Sequence, residues 1–558
     1  MQDKEFLRLL ANEIVKKRLK TNLEIIKLRN KLCKKYKPKI YPGFIQIFLA
    51  ANPKQRRFLN KILQTKPSRI LSGISAIAVM TKPIACKHGS CIYCPGGPEF
   101  EVPKSYTGHE PAVLRAIRNK FNPYLQIFNR LEQYILLGQL PIKTELIIMG
   151  GTFPSFNLKY QNNFITDCFR AMNDFSDLFF NKNGFDFDKF VEFFELDYEN
   201  KMNKQDIIQN KILNLYKKSD LKKEQLKNEN SAIRNIALCI ETRPDFCKEV
   251  HINRMLEQGC TRIELGVQSI YNEILEKINR KHSVEDTIKA TQLLKDSFLK
   301  VNYHLMPGLL GSDLTKDTEM FKEIFEKQDF KPDSLKIYPC MVIKGTKLYD
   351  LWKQGKFKPL TTEDAVGLIT KIKSFVPEYC RIMRIQRDIP TKATIAGVDR
   401  TNLRQYINKR LEEEKIKCRC IRCREISRQK EVNGKVKLKR IDYKASNGQE
   451  IFLSYETDNA LIGFLRLRIP YKPFRKEITN NSAGIRELHV YGPSTELGKK
   501  GIYQHRGYGK ALLENAERIA SEEFDIKKLL VISGIGVKEY YKKFCYKKDG
   551  IYMSKILK

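Results

Sequence analysis

The sequence predicts an α/β chain in which an open, partial (βα)6 barrel is followed by a cysteine-bearing linker and a smaller α+β domain. Three observations lead to this prediction. Between about residues 74 and 386, short apolar runs alternate with helical patterns, which is typical of parallel strands joined by crossover helices. Three closely spaced cysteines follow the first apolar run, and a glycine-containing loop opens a helix near the end of the chain.

The length and charge of the chain indicate several domains and a polyanionic partner. The 558 residues are enough for two or three domains. A net charge of +38 favours nucleic acid first and acidic lipid second, although a lysine-rich proteome would explain part of it. The predicted units are a basic helical RNA-binding segment at 1–73, the barrel at 74–386, a linker at 387–440 and the final domain at 441–558.

Two further segments are interpreted from composition. The pattern of residues 13–20 and 27–37 predicts amphipathic helices, each with one face rich in Lys and Arg. These faces either bind RNA phosphates or are simply exposed to solvent. Residues 201–229 are rich in Lys, Asn, Gln and Glu and contain no glycine, so we expect a partly helical, exposed insertion without a catalytic role.

Three features of the sequence bear on the cellular location of the protein. No apolar run of about 18 residues is long enough for a transmembrane helix. The first five residues are mostly polar or charged and contain no apolar signal core. The most closely spaced cysteines are grouped as in metal sites rather than spread as in a disulfide framework. We therefore expect a cytoplasmic protein without a membrane partner.

Six apolar runs are the predicted barrel strands: 75–80, 144–149, 235–240, 262–267, 300–306 and 334–338. In barrels of this kind, residues at the carboxyl ends of the strands line the site. The polar and glycine residues found at those ends are Gly150, Gly151, Thr152, Glu241, Arg243 and Gln268. Because such residues occur at the ends of several successive strands, they predict a cofactor-binding site. A single one would indicate only an ordinary turn.

The cysteines behind the first strand are Cys86, Cys91 and Cys94, at Cys-x4-Cys-x2-Cys spacing. Three thiolates can hold three irons of a [4Fe–4S] cluster and leave the fourth iron open. An open iron can bind and reductively cleave S-adenosylmethionine to give a 5′-deoxyadenosyl radical. The alternative is a structural zinc site with His88 as the fourth ligand. The adjoining Pro-Gly-Gly-Pro turn favours the cluster.

A second cysteine group, Cys418, Cys420 and Cys423, predicts zinc with one ligand missing. Cys340, directly after a predicted strand, is our candidate for the fourth ligand, and Cys380 is its rival. With either residue as the fourth ligand, the zinc ion would link the barrel to the downstream domain. A second iron–sulfur cluster and unligated core thiols are the alternatives.

The final domain begins with alternating runs typical of antiparallel strands, followed by a loop with Gln504, Arg506, Gly507, Gly509 and Lys510 that opens a helix. Glycines at a strand-to-helix junction let backbone N–H groups and the helix N-terminus receive a pyrophosphate. Tyr540 and Tyr541 lie on a later short helix. They either flank a bound thioester or pack in the core.

The cysteine loop and barrel resemble the radical S-adenosylmethionine superfamily, whose barrel is a partial, TIM-like one. Gln504-x-x-Gly507-x-Gly509 resembles the GNAT acyltransferases, which bind acetyl-coenzyme A. The fusion, with Glu-Thr-Arg-Pro-Asp at 241–245, Gln-Arg-Asp-Ile-Pro at 386–390 and Arg-Glu-Leu-His-Val-Tyr-Gly at 486–492, is similar to the catalytic-subunit family of Elongator, including its stand-alone archaeal and bacterial members. The match covers nearly the whole chain outside 201–229.

This resemblance implies an acyltransferase that adds a carboxymethyl group to carbon 5 of the tRNA wobble uridine, using acetyl-coenzyme A and the adenosyl radical. It implies that the strand-end residues hold S-adenosylmethionine, that the 504–510 loop holds coenzyme A, that one tyrosine donates a proton and that the anticodon stem-loop is the partner. Lys281, in Arg-Lys-His, would reach RNA or belong to a surface charge cluster. Elongator-type subunits are expected only if the chain is eukaryotic, and a homodimer is left open.

Two rival functions remain at this stage. A protein lysine acetyltransferase would use the last domain and keep the iron–sulfur cluster as a structural element. A tRNA-binding scaffold would have lost both activities, which the intact cysteine triad and glycine loop argue against.

Overall fold

The computed structural model describes residues 3–39, 41–63, 73–196, 203–492 and 506–558. The chain begins with four helices: α1 (Asp3–Lys16), α2 (Asn22–Tyr36), α3 (Phe44–Ala50) and α4 (Pro53–Ile62). Thr21 caps α2 in a capping box with Glu24, which satisfies N–H groups at the helix start. The four helices enclose a small apolar core that includes Phe6, Leu10 and Ile47, so the described part of the predicted basic segment is a packed helical unit.

The middle of the chain alternates strands and helices, as the sequence predicts. Its strands are β1 (Ser75–Met80), β2 (Lys143–Met149), β3 (Phe180–Asn181), β4 (Gly184–Phe185), β5 (Arg234–Thr242), β6 (Arg262–Gln268), β7 (Lys300–Leu305), β8 (Ser334–Ile337), β9 (Val342–Ile343), β10 (Arg381–Arg384) and β11 (Thr394–Ala396). Its helices are α5 (Pro111–Arg118), α6 (Pro123–Leu136), α7 (Leu158–Phe179), α8 (Phe187–Phe193), α9 (Lys204–Asn214), α10 (Leu221–Asn228), α11 (Glu249–Glu257), α12 (Asn272–Lys277), α13 (Val284–Asp296), α14 (Leu314–Glu326), α15 (Lys347–Lys353), α16 (Thr362–Phe375), α17 (Leu403–Glu413) and α18 (Ile421–Arg424).

The main sheet of this region is parallel, in the order β1-β2-β5-β6-β7-β8-β10. All six predicted strands are confirmed, and β10 is a seventh that the sequence analysis missed. Only Ile382 of its four residues is buried, so the segment lacks the apolar run that marked the others. The sheet is thus an open half-barrel with one strand more than predicted.

The two faces of this half-barrel differ in chemistry. Residues that face the surrounding helices, such as Ile263, Leu265 and Leu335, belong to the main apolar core. Alternate residues of the same strands, such as Glu264 and Lys336, line an internal cavity instead. Because side chains alternate along a strand, the barrel interior is polar while its outer face is apolar.

The described part of the predicted insertion, 203–229, is partly helical and largely exposed, as expected, but one side of it packs on the barrel. Within α10 and just after it, Glu224, Asn228 and Glu229 are buried. Asn173 of α7 donates a hydrogen bond to Glu224, and Asn228 donates one to Asn173. Four of the eight residues of α10 are exposed, as the composition predicts. Its two buried residues, Glu224 and Asn228, hydrogen-bond to Asn173 of α7 instead of to water.

The last part of the chain forms a second sheet around α19 (Tyr508–Phe524). Its remaining elements are β12 (Lys437–Ala445), β13 (Gly448–Glu456), β14 (Leu461–Ile469), β15 (Ser482–Val490), β16 (Lys528–Val531), α20 (Lys538–Lys542), β17 (Lys547–Asp549) and β18 (Tyr552–Ile556). The order is β12-β13-β14-β15-β16-β18-β17. β15 and β16 are parallel neighbours only up to Ile485 and Val531; beyond that point β15 continues, paired with β14 alone.

The second sheet meets the half-barrel at the amino ends of the barrel strands. Arg468 of β14 bonds Asp296 of α13 at 2.6 Å, and Glu450 of β13 lies 3.6 Å from Lys295. These four side chains are fully buried. Buried charges that are matched in this way fix the relative orientation of the two units. Among the described residues, no helix combines the length and apolarity needed to cross a membrane.

Candidate functional site

The cysteine loop lies between β1 and α5 and is anchored by backbone contacts. The N–H of Ile92 donates to the carbonyl of Ile278 at 3.1 Å, and the Asn279 side chain donates to the carbonyl of Ser90 at 2.8 Å. His88 lies with Nε2 3.4 Å from the Cys91 sulfur. Burial and the nearby Arg243 and Arg280 lower the pKa of His88 to about 4, so its ring is neutral at pH 7.

All three cysteines of the loop line a cavity of about 970 Å³ at the carboxyl ends of the strands. Of the residues predicted to hold S-adenosylmethionine, the cavity wall includes Gly151, Thr152, Glu241, Arg243 and Gln268. Gly150 adjoins it at φ +113°, where a side chain would collide with the Thr81 hydroxyl. Among the described residues, nothing hydrogen-bonds the buried Oε1 of Gln268 or the Nη1 of Arg243. Polar atoms left open in a cavity of this size fit a polar cofactor.

The strand-end residues differ in how firmly they are held. Arg243 forms two hydrogen bonds of 2.9 Å to Asp245, which fix the guanidinium. Glu241 has only long contacts, at 3.3 Å to the Tyr106 hydroxyl and at 3.3 Å to the Lys336 ammonium. Glu241 is therefore better placed than Arg243 to exchange its partners for a ligand.

A buried polar group on the cavity floor was missed by the sequence analysis. Glu264 accepts from His304 at 2.8 Å and from Lys336. Although burial opposes ionisation, Lys336, His304 and Arg262 hold the pKa of the Glu264 carboxyl well below its usual range. The sequence contains a pattern that could have revealed this group. Charged residues at alternate positions of otherwise apolar strands point into the barrel.

Two groups of described residues are tight enough for a single metal ion, with ligand atoms within 4.8 Å of one another. One is Glu241, Glu264 and His304, where the Lys336 ammonium already supplies the cation. The other is Cys418, Cys420 and Cys423, whose spacing suits thiolates about 2.3 Å from one zinc ion.

The geometry does not support Cys340 as the fourth ligand of the 418–423 group. Its side chain is fully buried in a different apolar cluster, with Tyr93, Leu309 and Phe357. Cys380 lies nearer, since its carbonyl accepts from the N–H of Ile421 at 3.0 Å. The Lys373 ammonium lies 3.3 Å from the Cys423 sulfur and balances thiolate charge.

The Arg-Lys-His triplet at 280–282 is not a surface charge cluster. Arg280 and His282 are buried, and only Lys281 is exposed. The Arg280 guanidinium lies 3.6 Å from the Cys91 sulfur, so this residue belongs to the cysteine site. Lys281 remains the one member of the triplet that could meet RNA.

The candidate coenzyme A site lies at the start of α19. Gly507 is the N-cap, at φ +88°, and the N–H groups of the first turn face outward without intrahelical partners. Gly509 comes so close to Tyr540 that an added Cβ would lie 2.7 Å from the phenol oxygen. Lys510 is exposed and lies 3.5 Å from Glu514. Arg506 is exposed as well, whereas the predicted Gln504 lies outside the described residues.

The two tyrosines of α20 have different surroundings. Tyr541 is buried in the core of the second sheet, so it serves packing. Tyr540 is half-buried against Gly509, and burial raises its pKa, which keeps the phenol protonated. The glycine backbone and the helix N-terminus together fit a pyrophosphate.

Comparison with protein families follows the same division of the chain. Family models match the ELP3 N-terminal domain at 4–71, the Radical SAM superfamily at 210–323, the Radical_SAM C-terminal domain at 332–413 and the Acetyltransferase (GNAT) family at 421–545. Fold and site thus define a radical S-adenosylmethionine half-barrel joined to a GNAT acetyltransferase domain. The cysteine loop lies before the segment that the Radical SAM model matches. Its interpretation as an iron–sulfur site therefore depends on the spacing of the three cysteines and on their position at the cavity.

Whole-chain relatives narrow this class further. The chain is 49% identical to the tRNA uridine(34) acetyltransferase of Methanocaldococcus jannaschii, over 93% of this chain and 91% of that protein. It is 38% identical to human Elongator complex protein 3, over 99% and 98%. The solved Methanocaldococcus infernus Elp3 with residues 1–46 deleted aligns with a TM-score of 0.71 at 46% identity, over 87% and 100%. The chain belongs to this family of tRNA uridine(34) acetyltransferases and Elongator complex protein 3.

Proposed function

We propose that this chain adds a carboxymethyl group to carbon 5 of the wobble uridine of tRNA. One observation carries the proposal: a cysteine triad in a barrel cavity and a glycine-opened helix N-terminus lie on one polypeptide, joined through buried ion pairs. The names of the relatives at 48–49% identity, which specify uridine 34 of tRNA, support the substrate.

The residues of the barrel site have separable roles in this proposal. Cys86, Cys91 and Cys94 hold the cluster, and Gly150, Gly151, Thr152, Glu241, Arg243 and Gln268 hold S-adenosylmethionine. Held by these residues, S-adenosylmethionine and the cluster would supply radical chemistry able to activate the acetyl methyl group. The polar floor of Glu264, His304 and Lys336 orients the reactants and keeps charge balanced in the enclosed cavity.

The GNAT domain holds the acyl donor. The first turn of α19, from Gly507 to Lys510, receives the coenzyme A pyrophosphate, together with Gln504 and Arg506 of the preceding loop. Tyr540, protonated and close to Gly509, donates a proton to the departing thiolate. Cys418, Cys420 and Cys423 hold a structural zinc ion between the domains.

The rim of the cavity suits an RNA substrate. Arg384, Arg387, Arg422 and Arg428 line it on the side of the linker, where guanidinium groups can meet phosphates. A wobble base must leave the anticodon stack to enter such a site, and aromatic rings of the wall can stack on it. Tyr106 and Tyr338 are such rings.

Nucleoside mass spectrometry tests the proposal. The anaerobically reconstituted protein is incubated with tRNA, dithionite, S-adenosylmethionine and acetyl-coenzyme A. We expect carboxymethyluridine, and none from Cys91→Ala. Formation of 5′-deoxyadenosine without a new nucleoside would indicate another radical substrate. Acetylation of protein lysines that survives Cys91→Ala would indicate a lysine acetyltransferase.

A further inference from the structure

We propose that Arg280 is a positioning residue for the iron–sulfur cluster: its guanidinium donates to the Cys91 thiolate and raises the reduction potential of the cluster. The inference rests on the proposed function, since it requires that Cys86, Cys91 and Cys94 hold iron. It adds a residue outside the cysteine loop that decides how readily the cluster accepts the electron needed to cleave S-adenosylmethionine.

The contacts of Arg280 point it at the cluster site. Nη1 lies 3.6 Å from the Cys91 sulfur, and Nη2 donates to the carbonyl of Gly266 at 2.7 Å. The backbone N–H donates to Leu275 at 2.8 Å, which fixes the loop after α12. The side chain is 8% exposed, so these contacts replace its hydration.

The sequence of β6 makes room for this side chain. Gly266 lies inside a fully buried strand, where glycine weakens a sheet unless something approaches closely. A Cβ there would lie 2.5 Å from Nη2 of Arg280 and 2.9 Å from the Gln268 amide nitrogen. The glycine is thus explained by the guanidinium that packs on it.

The charge of Arg280 requires an anion nearby. Among the described residues, the Arg280 guanidinium contacts the Cys91 sulfur and the Gly266 carbonyl rather than a carboxylate, and its Nε has no hydrogen-bond partner. A buried guanidinium stays charged and is costly unless it is paired. The acidic groups around Arg280 include Tyr93, Cys91 and Asp245. Cys91 is the one whose sulfur the guanidinium contacts, at 3.6 Å, and its thiolate form on iron would supply the missing negative charge.

The consequence for the cluster follows from electrostatics. Reduction adds one negative charge to the iron–sulfur core, and a buried cation stabilises that charge more strongly than an exposed one. Hydrogen bonds to the sulfurs and net charge are known determinants of cluster potential. Arg280 contributes both to Cys91, whereas Cys94 has neutral neighbours: it accepts from the N–H of Ser105 at 3.2 Å and lies 3.7 Å from the Ser105 hydroxyl.

Redox titration tests the inference without relying on turnover. The wild type, Arg280→Gln, Arg280→Lys and Lys281→Gln are reconstituted anaerobically, and iron and sulfide are counted first. Midpoint potentials are then measured by electron paramagnetic resonance without S-adenosylmethionine. Lys281→Gln is the matched control, because it removes a neighbouring but exposed cation. We expect Arg280→Gln to shift to a more negative potential, Arg280→Lys to lie between, and Lys281→Gln to match the wild type.

A second variant keeps the charge but moves it. Gly266→Ala should displace the guanidinium from Cys91 and shift the potential in the same direction as Arg280→Gln, so the test stands even if Arg280→Gln loads no cluster. Equal midpoints in all loaded variants would overturn the inference. So would an unchanged midpoint with weaker S-adenosylmethionine binding, since Arg280 would then serve that ligand. A wild type that binds no iron would instead refute the proposed function.

Discussion

Arg486 and Asp333 form a bidentate ion pair between the two domains, with Nη2–Oδ2 at 2.6 Å and Nη1–Oδ1 at 2.8 Å. Both side chains are fully buried. Asp333 lies directly before β8, and its Oδ2 also accepts from the N–H of Val301 at the start of β7. One carboxylate therefore ties the amino ends of two barrel strands to the GNAT sheet.

Removal of this carboxylate should destabilise the whole molecule. In Asp333→Ala the buried guanidinium of Arg486 would keep only Glu450 as its anion, at 3.2 Å, and Arg466 and Lys295 would each lose a carboxylate partner. Breaking a buried ion pair on one side costs about 3–5 kcal/mol. Urea unfolding should show this loss as a lower midpoint. Glu522→Ala is the control, since its pair with Arg518 is exposed and should contribute less than about 1 kcal/mol. An equal decrease in the free energy of unfolding in both variants would contradict the prediction, because the buried interdomain ion pair would then contribute no more than an exposed one.

Acid should loosen the same interface through Glu487. Burial opposes ionisation, but Lys300 and Arg466 lower the pKa of Glu487 to about 2. A carboxyl with a depressed pKa contributes stability above its ordinary pKa of 4.5 and loses it as the pH falls toward 2. We expect the wild type to lose up to about 3 kcal/mol from this group.

Thermal unfolding between pH 2 and 7 would measure this dependence. Glu487→Gln should be less stable at neutral pH, because Lys300 and Arg466 lose their partner. Its stability should fall less steeply than that of the wild type below pH 4.5. Parallel pH profiles for the two proteins would contradict the assignment.

The cysteine group at 418–423 should hold one zinc ion per chain. Cys420→Ser should lower the zinc content and the stability, because the buried thiolate is a ligand. Cys340→Ser should keep the zinc, since that thiol packs in another cluster. Zinc is measured by elemental analysis after chelator treatment and refilling. Loss of zinc in Cys340→Ser would restore that residue as the fourth ligand.

The sequence indicates most of the fold because the barrel strands are apolar and regularly spaced. β10 was not found, since only Ile382 of its four residues is buried. The buried side of α10 was not foreseen, because composition cannot tell a solvated amide from one such as Asn228, which bonds to Asn173 within the core. Tertiary pairing, not local pattern, decides both cases.

The same limit applies to the site. The cysteine triad and the strand-end glycines stand at turns that are recognisable in the sequence. Their spacing along the chain was therefore enough to identify them as candidate site residues. Arg280 contacts Cys91 across 189 positions of sequence, and no local pattern reveals such a contact. Cys340 was chosen because it follows a strand, but its side chain points into a different cluster.

Tyr540 and Tyr541 should separate in their effect on acetyl-coenzyme A chemistry. Tyr540→Phe removes the phenol hydroxyl beside Gly509 and should lower the rate of thioester cleavage about 100-fold. Tyr541→Phe is the control, since that ring belongs to the core; its rate should stay within a few fold. Thiol release in the presence of tRNA measures both. A larger effect in Tyr541→Phe would reverse the assignment.

The union of radical and acetyl chemistry on one chain is tested most directly with acetyl-coenzyme A deuterated on its methyl group. The protein is reduced anaerobically with tRNA and unlabelled S-adenosylmethionine, and the 5′-deoxyadenosine is analysed by mass spectrometry. We predict one deuterium in 5′-deoxyadenosine and two in the carboxymethyl group of the modified uridine. Unlabelled 5′-deoxyadenosine alongside a modified nucleoside would contradict the account, because the hydrogen would then come from elsewhere.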